Sequence, residues 1–324
     1  MLTTAFIVAP VKQELAEFER RFRHALSSNI ALVDVVVRYI VHRKGKRVRP
    51  ILVLLSAGAC GGITDATFRG AALVELLHTA TLVHDDVVDD ATTRRGFASV
   101  NAIWKNKIAV LIGDYILSRG LLLSLEGNDF TALRITSQAV RRMSEGELLQ
   151  IQKTRQLNTD EATYFRIIRD KTASLLSTCC EIGARSATSD ETAARALRDY
   201  GENLGIAFQI RDDILDFLGT ESLIGKPIGG DLKEKKFTLP LIHAFSRAPA
   251  KTRRSILRLL KDGVDRGAIR TIAAFVKEYG GIDYATAKAS AYSDEAVQAL
   301  SPLRPSPYVA SLERFARYVV ERTK

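Results

Sequence analysis

The sequence predicts an all-α protein formed by a single large domain. Three observations support this: apolar residues recur at intervals of three and four, period-two alternation is scarce, and short turn signals separate the apolar segments. Roughly a dozen helices with short connections are expected from this spacing. No low-complexity linker interrupts the chain, so one domain is expected across residues 1–324.

The helical segments follow one another closely. Residues 70–90 place Leu73, Leu76 and Leu77 on one helical repeat. The same periodicity predicts further helices over 108–124, 133–152, 162–183, 190–199 and 200–217. Turn or helix-start signals stand at 126–129, 157–160, 188–190, 247–250, 278–283 and 301–307. The connections are therefore predicted to be short.

Composition limits the class of partner. Hydrophobic residues make up 46% and charged residues 26%, which is ordinary for a globular protein, whereas the net charge of +10 is not. A strongly basic chain suits an anionic partner such as nucleic acid, a membrane surface or phosphorylated small molecules, although a solvated basic surface has the same composition. No basic run alternates with aromatic residues, so nucleic acid is not expected.

Cysteine usage and the apolar segments predict a cytoplasmic protein. Cys60, Cys179 and Cys180 lack metal-ligand spacing and are expected to be core thiols in a reducing compartment. The first residues lack the basic region of a secretory signal. The apolar stretch at 50–63 is too short to cross a bilayer, so no transmembrane segment is expected, and peripheral membrane contact stays open.

Two aspartate clusters share one spacing inside apolar sequence. The clusters are Asp85, Asp86, Asp89 and Asp212, Asp213, Asp216. On a helix each set lies within an arc of about 100°, so the three carboxylates repel one another unless cations neutralise them. An exposed acidic helix end is the alternative for either cluster alone. The repeated spacing favours Mg²⁺, which takes oxygen ligands and is usually shared with phosphate groups. We therefore expect two facing acidic helices that hold a diphosphate through metal.

Basic residues near these clusters suit the remaining phosphate charge. Arg94 and Arg95 follow the first cluster, and residues 42–50 supply Lys44, Lys46, Arg47 and Arg49 at the start of a predicted helix. His78 lies seven positions before Asp85, nearly on the same side of the helix. This position is equally compatible with two roles for His78, namely packing within the core and contact with a phosphate.

At these residues the chain resembles the trans-isoprenyl diphosphate synthases, the polyprenyl synthetase family. The matching stretches are GKRVRP (45–50), ELLHTATLVHDDVVDD (75–90), TRRG (93–96), KTASL (171–175), FQIRDDILD (208–216) and GKPIGGDLKEKKFTLPLI (225–242). The resemblance implies the isoprenoid synthase fold, a helical bundle around a central cavity. It also implies a homodimer that condenses isopentenyl diphosphate with an allylic diphosphate such as farnesyl or geranylgeranyl diphosphate.

The resemblance also implies roles for individual residues. Isopentenyl diphosphate would be bound by Lys46, Arg49, His78 and Arg95. The allylic diphosphate would be bound by Arg94, Lys171, Thr172, Gln209, Lys226 and Lys236. Catalysis is expected from Lys171, Thr172, Gln209 and Lys226. Both aspartate clusters would coordinate Mg²⁺, about three ions per active site.

Two positions depart from the family pattern. The pair Lys235-Lys236 stands where Gly-Lys is common in the family, so either lysine could be the one that reaches the phosphate. Asp170 stands where a small residue is common. The glycine- and lysine-containing segment 219–240 is either a plain solvent loop or a lid that keeps water from the reacting carbocation.

The resemblance implies that product length depends on the positions four and five before the first cluster. Short-chain members of the family carry bulky aromatics there, whereas this chain has Thr81 and Ala80. We therefore expect a long product of about octaprenyl length, as for quinone side chains. A shorter-chain synthase, a terpene cyclase and a non-catalytic regulatory subunit are the alternatives.

Overall fold

The all-α prediction is confirmed. The computed structural model describes residues 2–42, 47–94, 96–218 and 229–322. Within these ranges the strands are β1 (Thr93–Arg94) and β2 (Phe97–Ala98), which pair antiparallel in a two-stranded hairpin. The sequence analysis did not predict this hairpin.

The helices are numbered α1 to α16 in chain order. Their bounds are α1 Leu2–Val8, α2 Lys12–Ala25, α3 Ala31–His42, α4 Val48–Ala59, α5 Asp65–Val88, α6 Val100–Glu126, α7 Phe130–Gln156, α8 Glu161–Ile168, α9 Ser174–Arg185, α10 Glu191–Leu218, α11 Gly230–Lys233, α12 Leu239–Arg247, α13 Ala250–Asp262, α14 Arg266–Glu278, α15 Gly281–Ala299 and α16 Pro307–Glu321. The described residues also contain a 3₁₀ turn at Ala9–Val11 and a π-helical turn at Arg169–Ala173.

The chain divides into two compact units, each built from three stretches. The first comprises Met1–Gln138, Thr178–Arg198 and Pro302–Leu312, and the second comprises Ala139–Ser177, Asp199–Ser301 and Glu313–Lys324. Four of the boundaries fall inside helices, so no linker marks them in the sequence. The expectation of one domain across the chain stays a prediction.

The first unit is organised around α4 and α5. Residues 50–57 of α4 are buried throughout, because this helix is apolar on every side. Helix α5 packs along α6 and α4. A capping box begins α5: the Thr64 hydroxyl accepts from the Thr67 N–H, while the Thr67 hydroxyl accepts from the Thr64 N–H. These contacts fix the helix that carries the first aspartate cluster.

The second unit is organised around a core contributed by α8, α10 and α12 to α15. Ile210 and Ile214 of α10 are fully buried in it, together with Leu239 of α12 and Ile272 of α14. Helix α10 runs unbroken through Gly201, so the prediction of separate helices over 190–199 and 200–217 was wrong. One interior glycine costs a helix only about 1 kcal/mol, and burial of the neighbouring Tyr200 favours continuity.

Helix α6 is the one helix of the described ranges that is long and apolar enough to cross a membrane. Its most apolar eighteen-residue stretch has a mean hydropathy of 1.7, and 33% of that stretch is buried. The sequence predicted a helix over 108–124 within α6, but the membrane-span expectation was based on residues 50–63 alone. Length and composition alone are weak evidence for a membrane span, because core helices share them.

Candidate functional site

The first aspartate cluster lies at the end of α5. Asp86 is buried, whereas Asp85 and Asp89 are exposed. Asp89 is the first residue after the helix, and its N–H still donates to the Asp85 carbonyl at 2.8 Å. The three carboxylates therefore keep the helical spacing that the sequence predicts.

Arg94 neutralises the buried carboxylate of this cluster. Arg94 lies in β1 of the hairpin, and its Nε donates to Asp86 Oδ1 over a distance of 2.6 Å. The hairpin turns the chain back towards the end of α5, and Asn101 Nδ2 donates to the Asp86 carbonyl at 3.1 Å. Arg94 thus lies beside the first aspartate cluster, and its expected contact with an allylic diphosphate stays a prediction.

A cavity opens beside this cluster within the first unit. Its charged and polar lining consists of Arg47, Glu75, His78, Thr79, Asp86, Arg94 and Ser99. His78 is half-buried and faces the same cavity as Asp86 and Arg94. The role of His78 stays a prediction.

Arg47, one of the basic residues expected to suit phosphate charge, lies in the wall of this cavity. It has a left-handed backbone, with φ of 50°, immediately before α4. Its guanidinium donates to Glu19 at 2.6 Å and to Glu75 at 2.7 Å. Burial lowers the pKa of Arg47, but the two carboxylates outweigh burial and raise it. Two adjacent carboxylates therefore hold Arg47 charged and fixed at the cavity wall.

Several expected ligands lie outside the described residues. These are Lys46, Arg95 and Lys226, together with Lys44 and residues 219–228 of the 219–240 segment. Arg49 is described and lies half-buried in the first turn of α4. The roles expected for these residues, including the lid, stay predictions.

The second aspartate cluster is centred on a buried carboxylate, Asp213. Its Oδ2 accepts from the Tyr164 hydroxyl at 2.6 Å, and its Oδ1 accepts from Gln209 Nε2 at 2.8 Å. Burial raises the pKa of Asp213 well above its usual range and the Asp231 carboxylate raises it further, while these hydrogen bonds lower it. Among the described residues, no basic side chain forms an ion pair with Asp213.

A chain of hydrogen bonds connects the expected catalytic residues to Asp213. The Thr172 hydroxyl donates to Gln209 Oε1 at 2.9 Å, and the amide of the same Gln209 donates to Asp213. Thr172 and Gln209 line one cavity with Lys171, Asp213, Asp231 and Lys236. The structure thus brings together three residues that the resemblance assigned to catalysis.

Lys171 and Thr172 are presented by the π-helical turn, a feature that often marks functional sites. Two glycines let neighbouring helices approach this turn closely. A Cβ on Gly205 would lie 2.5 Å from Ala173 Cα, and one on Gly146 would lie 2.9 Å from the Lys171 nitrogen. The Lys171 ammonium is paired with Glu147 at 2.5 Å. The Asp170 carboxylate accepts from Arg142 at 2.9 Å, so this departure from the family pattern is neutralised locally.

Asp212 is held by a residue that sequence reasoning missed, Arg322. The Arg322 Nη2 donates to Asp212 Oδ1 at 2.5 Å and to the Phe208 carbonyl at 3.2 Å, and its guanidinium lies 4.1 Å from the Phe208 ring centre. Arg211 in turn donates to the Arg322 carbonyl at 2.9 and 2.7 Å. No sequence signal links positions 110 apart, so a pattern search could not identify this residue.

Asp216 has a different partner from the other members of its cluster. Its two carboxylate oxygens accept from the N–H groups of Gly230 and Asp231, at 3.1 and 3.2 Å, at the start of α11. This contact brings Asp231 near Asp213, which explains the repulsion between the two carboxylates.

The structure distinguishes Lys235 from Lys236. Lys236 lines the cavity with Asp213 and pairs with Glu234 and, at 3.9 Å, with Asp231. Lys235 instead donates to the carbonyl of Lys261 at 3.2 Å. Lys236 is therefore the better placed of the two to reach a phosphate in this cavity.

The two positions expected to govern chain length lie in the middle of α5. Ala80 is buried and Thr81 is half-buried, with the Thr81 hydroxyl donating to the His78 carbonyl at 2.9 Å. Neither residue lines the cavity beside the first cluster. Their role in product length stays a prediction.

The donor set of both clusters fits a hard divalent cation. Within the described ranges, no three His, Cys, Asp or Glu side chains converge into a closed metal cage. Mg²⁺ does not require one, because it keeps several waters and binds through one or two carboxylates plus substrate phosphates. The repelling Asp213 and Asp231 carboxylates are a site where a cation relieves unfavourable charge.

Comparison with known proteins identifies the family. The family model described as polyprenyl synthetase matches residues 30–276, a range that includes both aspartate clusters. The chain belongs to the polyprenyl synthetase family. It is 38% identical over 98% of its length to the all-trans-nonaprenyl-diphosphate synthase (geranyl-diphosphate specific) of Rhodobacter capsulatus, 97% of which is covered. It is 37% identical over 92% of its length to the octaprenyl diphosphate synthase of Haemophilus influenzae, 90% of which is covered.

Solved structures of this family share the fold. The polyprenyl synthase from Caulobacter crescentus, complexed with calcium and isoprenyl diphosphate, superposes with a TM-score of 0.92 at 34% identity. That match covers 99% of this chain and 98% of the Caulobacter chain. The resemblance predicted from the motifs is therefore confirmed.

Proposed function

We propose that this chain is a Mg²⁺-dependent trans-prenyltransferase that adds isopentenyl diphosphate to an allylic diphosphate and makes a medium- to long-chain polyprenyl diphosphate. One observation carries the proposal: each aspartate cluster contributes a buried carboxylate to a cavity that also presents basic side chains. An oxygen-only donor set beside fixed cations suits a metal-bound diphosphate. The nonaprenyl and octaprenyl synthases among the relatives support the reaction class.

The residues of the first cavity suit the binding of isopentenyl diphosphate. His78 and Arg47 line it, and Glu19 and Glu75 keep the Arg47 guanidinium in one orientation. Because the Arg47 guanidinium is paired with both carboxylates, Arg47 shapes the cavity wall, and the expected Lys46, Arg49, His78 and Arg95 are the proposed phosphate ligands.

The residues of the second cavity suit departure of the allylic diphosphate. Mg²⁺, when bound, supplies Lewis-acid stabilisation of the leaving group. Lys171 and Lys236 add positive charge where negative charge develops. Thr172 and Gln209 are fixed by their hydrogen-bond chain to Asp213, so their oxygens can stabilise the allylic cation without reorganisation. Exclusion of water by the 219–240 segment belongs to the same proposal.

We propose a homodimer that uses the outer side of α6. Five large apolar residues of this helix are exposed within an arc of about 120°, namely Val110, Leu111, Leu121, Leu122 and Leu125. Exposed apolar area of this kind marks an interface. Light scattering is expected to give twice the 35.7 kDa mass of one chain, and Leu122→Arg with Leu125→Arg is expected to give monomers. A monomeric wild-type chain at micromolar concentration would remove this part of the proposal.

Product length and compartment belong to the proposal as well. Small residues at Ala80 and Thr81 favour a long, octaprenyl-like product for a quinone side chain. The unbridged thiols of Cys60, Cys179 and Cys180 favour the cytoplasm. Geranylgeranyl synthases also share the fold, with a TM-score of 0.90 for the Pyrococcus horikoshii enzyme, so a shorter product is the second candidate.

One assay distinguishes the candidates. Purified protein is incubated with farnesyl diphosphate, isopentenyl diphosphate and Mg²⁺, and the lipid products are sized by mass spectrometry. Long all-trans polyprenyl diphosphates support the proposal, and products no longer than geranylgeranyl diphosphate support the second candidate. A cyclic hydrocarbon formed without isopentenyl diphosphate would identify a cyclase. Absence of any product from the pure chain would indicate a non-catalytic subunit.

A further inference from the structure

Most of the unusual net charge of this protein is concentrated in one short region. Residues 247–278 contain nine basic and three acidic residues, a formal charge of +6 out of +10 for the whole chain. This region comprises α13 and α14, together with the end of α12. It lies within the second unit, and none of its residues lines either cavity.

The basic residues form a continuous stripe on each helix. On α13 they recur at spacings of three, four and three, which places them within an arc of about 80°: Lys251, Arg254, Arg258 and Lys261. The opposite side of α13 buries Ile256 and Leu260. On α14 a similar stripe of about 40° comprises Arg266, Arg270 and Lys277.

The two stripes face outward from one core. Ile256 and Leu260 of α13, and Ile272 and Phe275 of α14, belong to the same hydrophobic cluster. The helices pack against each other and are joined by residues 263–265. We call the seven residues of these stripes the basic face.

The α13 side of the basic face has no internal counter-charge. Among the described residues, no carboxylate lies within ion-pair distance of Lys251, Arg254, Arg258 or Lys261. Arginines elsewhere are paired, as Arg20 is with Glu17 and Arg38 with Asp34. Like charges three and four positions apart destabilise a helix, so an uncompensated stripe favours an external anion.

We propose that the basic face docks this protein onto an anionic phospholipid bilayer. Clusters of four to eight basic residues bind such surfaces, because each cation gains from the negative surface potential. This inference rests on the proposed function, whose polyprenyl product is too apolar to stay in water and must enter a membrane. Docking at a bilayer shortens that transfer.

A bilayer fits the basic face better than nucleic acid does. Single-stranded nucleic acids need aromatic platforms on which bases stack. No large hydrophobic or aromatic side chain between residues 247 and 277 is exposed. The contact is therefore electrostatic and peripheral, without insertion into the hydrocarbon region.

The test is co-sedimentation of the full chain with vesicles. The vesicles contain phosphatidylcholine alone or with roughly a third phosphatidylglycerol, at low salt and at 0.5 M NaCl. We expect binding only to the anionic vesicles at low salt. Each cation near such a surface strengthens binding roughly fivefold, so replacement of the four α13 cations by Gln is expected to weaken partitioning at least about tenfold.

A matched variant removes the same charge elsewhere. Replacing four exposed basic residues outside this region by Gln should change partitioning less than about twofold: Arg20, Arg38, Arg141 and Arg304. Circular dichroism is expected to show both variants folded. Equal weakening by the two variants, no binding to anionic vesicles at low salt, or displacement from vesicles by a low concentration of poly(U) would overturn the proposal.

Catalysis is measured separately in detergent solution with soluble primers. The α13 variant is expected to elongate them as the wild type does. Loss of vesicle binding with elongation intact in this variant therefore supports docking alone. A wild-type chain that binds vesicles but makes no prenyl product would contradict the proposed function and leave the surface assignment standing.

Discussion

Replacement of Arg322 by Met tests how the second aspartate cluster is held in the metal-free protein. The variant keeps most of the side-chain volume, but it removes the contacts to Asp212 and to the Phe208 carbonyl and ring. Asp212 is 42% exposed, so solvent screens the ion pair and its contribution is about 0.5–1 kcal/mol. The cation–π contact adds about 0.5–1 kcal/mol, and the carbonyl hydrogen bond adds about 0.5 kcal/mol. We expect a loss of about 2 kcal/mol in the free energy of unfolding.

The assay is urea unfolding in EDTA, followed by circular dichroism, as a double-mutant cycle with Asp212→Asn. The cycle should give a coupling of about 0.7 kcal/mol between the two residues, because only the ion pair is shared. Arg317→Met, an exposed position of helix α16 five residues before Arg322, is the control and should change stability by less than about 0.5 kcal/mol. A coupling within about 0.3 kcal/mol of zero would refute the assignment of Arg322 as the partner of Asp212.

Two further predictions concern helix packing and product length. Gly205→Ala should destabilise the protein by about 1–3 kcal/mol and lower turnover, because its Cβ would meet Ala173 Cα at 2.5 Å beside the π turn. Gly120→Ala is the control, because its Cβ would meet neighbouring side chains at 3.4 Å or more, and it should be neutral or stabilising. Stability is measured by urea unfolding and turnover by initial rates. Similar losses of stability and turnover in both variants would contradict the packing argument. Ala80→Phe or Thr81→Phe should shorten the main product towards fifteen or twenty carbons by blocking the growing tail, as sized by mass spectrometry. Unchanged product length in both variants would remove these residues from the tunnel.

Hydrophobic periodicity predicted the helices because it reports directly which side of each segment is buried. It identified α5 and α7 to within a few residues, since their apolar positions recur over many turns. It could not identify the β1–β2 hairpin, because two-residue strands are too short to alternate. It also divided α10 in two, because an interior glycine signals a break whether or not burial of its neighbours overrides that tendency.

The candidate site was predictable where its residues are close in sequence. Asp85, Asp86 and Asp89 are specified by one helical turn, and the resemblance located Thr172 and Gln209. Residues that act through tertiary contact could not be found in this way. Tyr164 donates to Asp213 from 49 positions away, and Arg322 reaches Asp212 from 110 positions away. Such pairs depend on how helices pack, which single-sequence patterns do not encode.

The central claim is that both aspartate clusters bind a diphosphate through Mg²⁺. Its most direct test is calorimetric titration of the full chain with a non-ionisable thiolo analogue of farnesyl diphosphate. The titration is run once in buffer containing Mg²⁺ and once in buffer containing EDTA. We expect binding only with Mg²⁺, and at least about tenfold weaker binding for both Asp86→Asn and Asp213→Asn, one variant from each cluster. Equal affinity in EDTA, or unchanged affinity in either variant, would contradict the account.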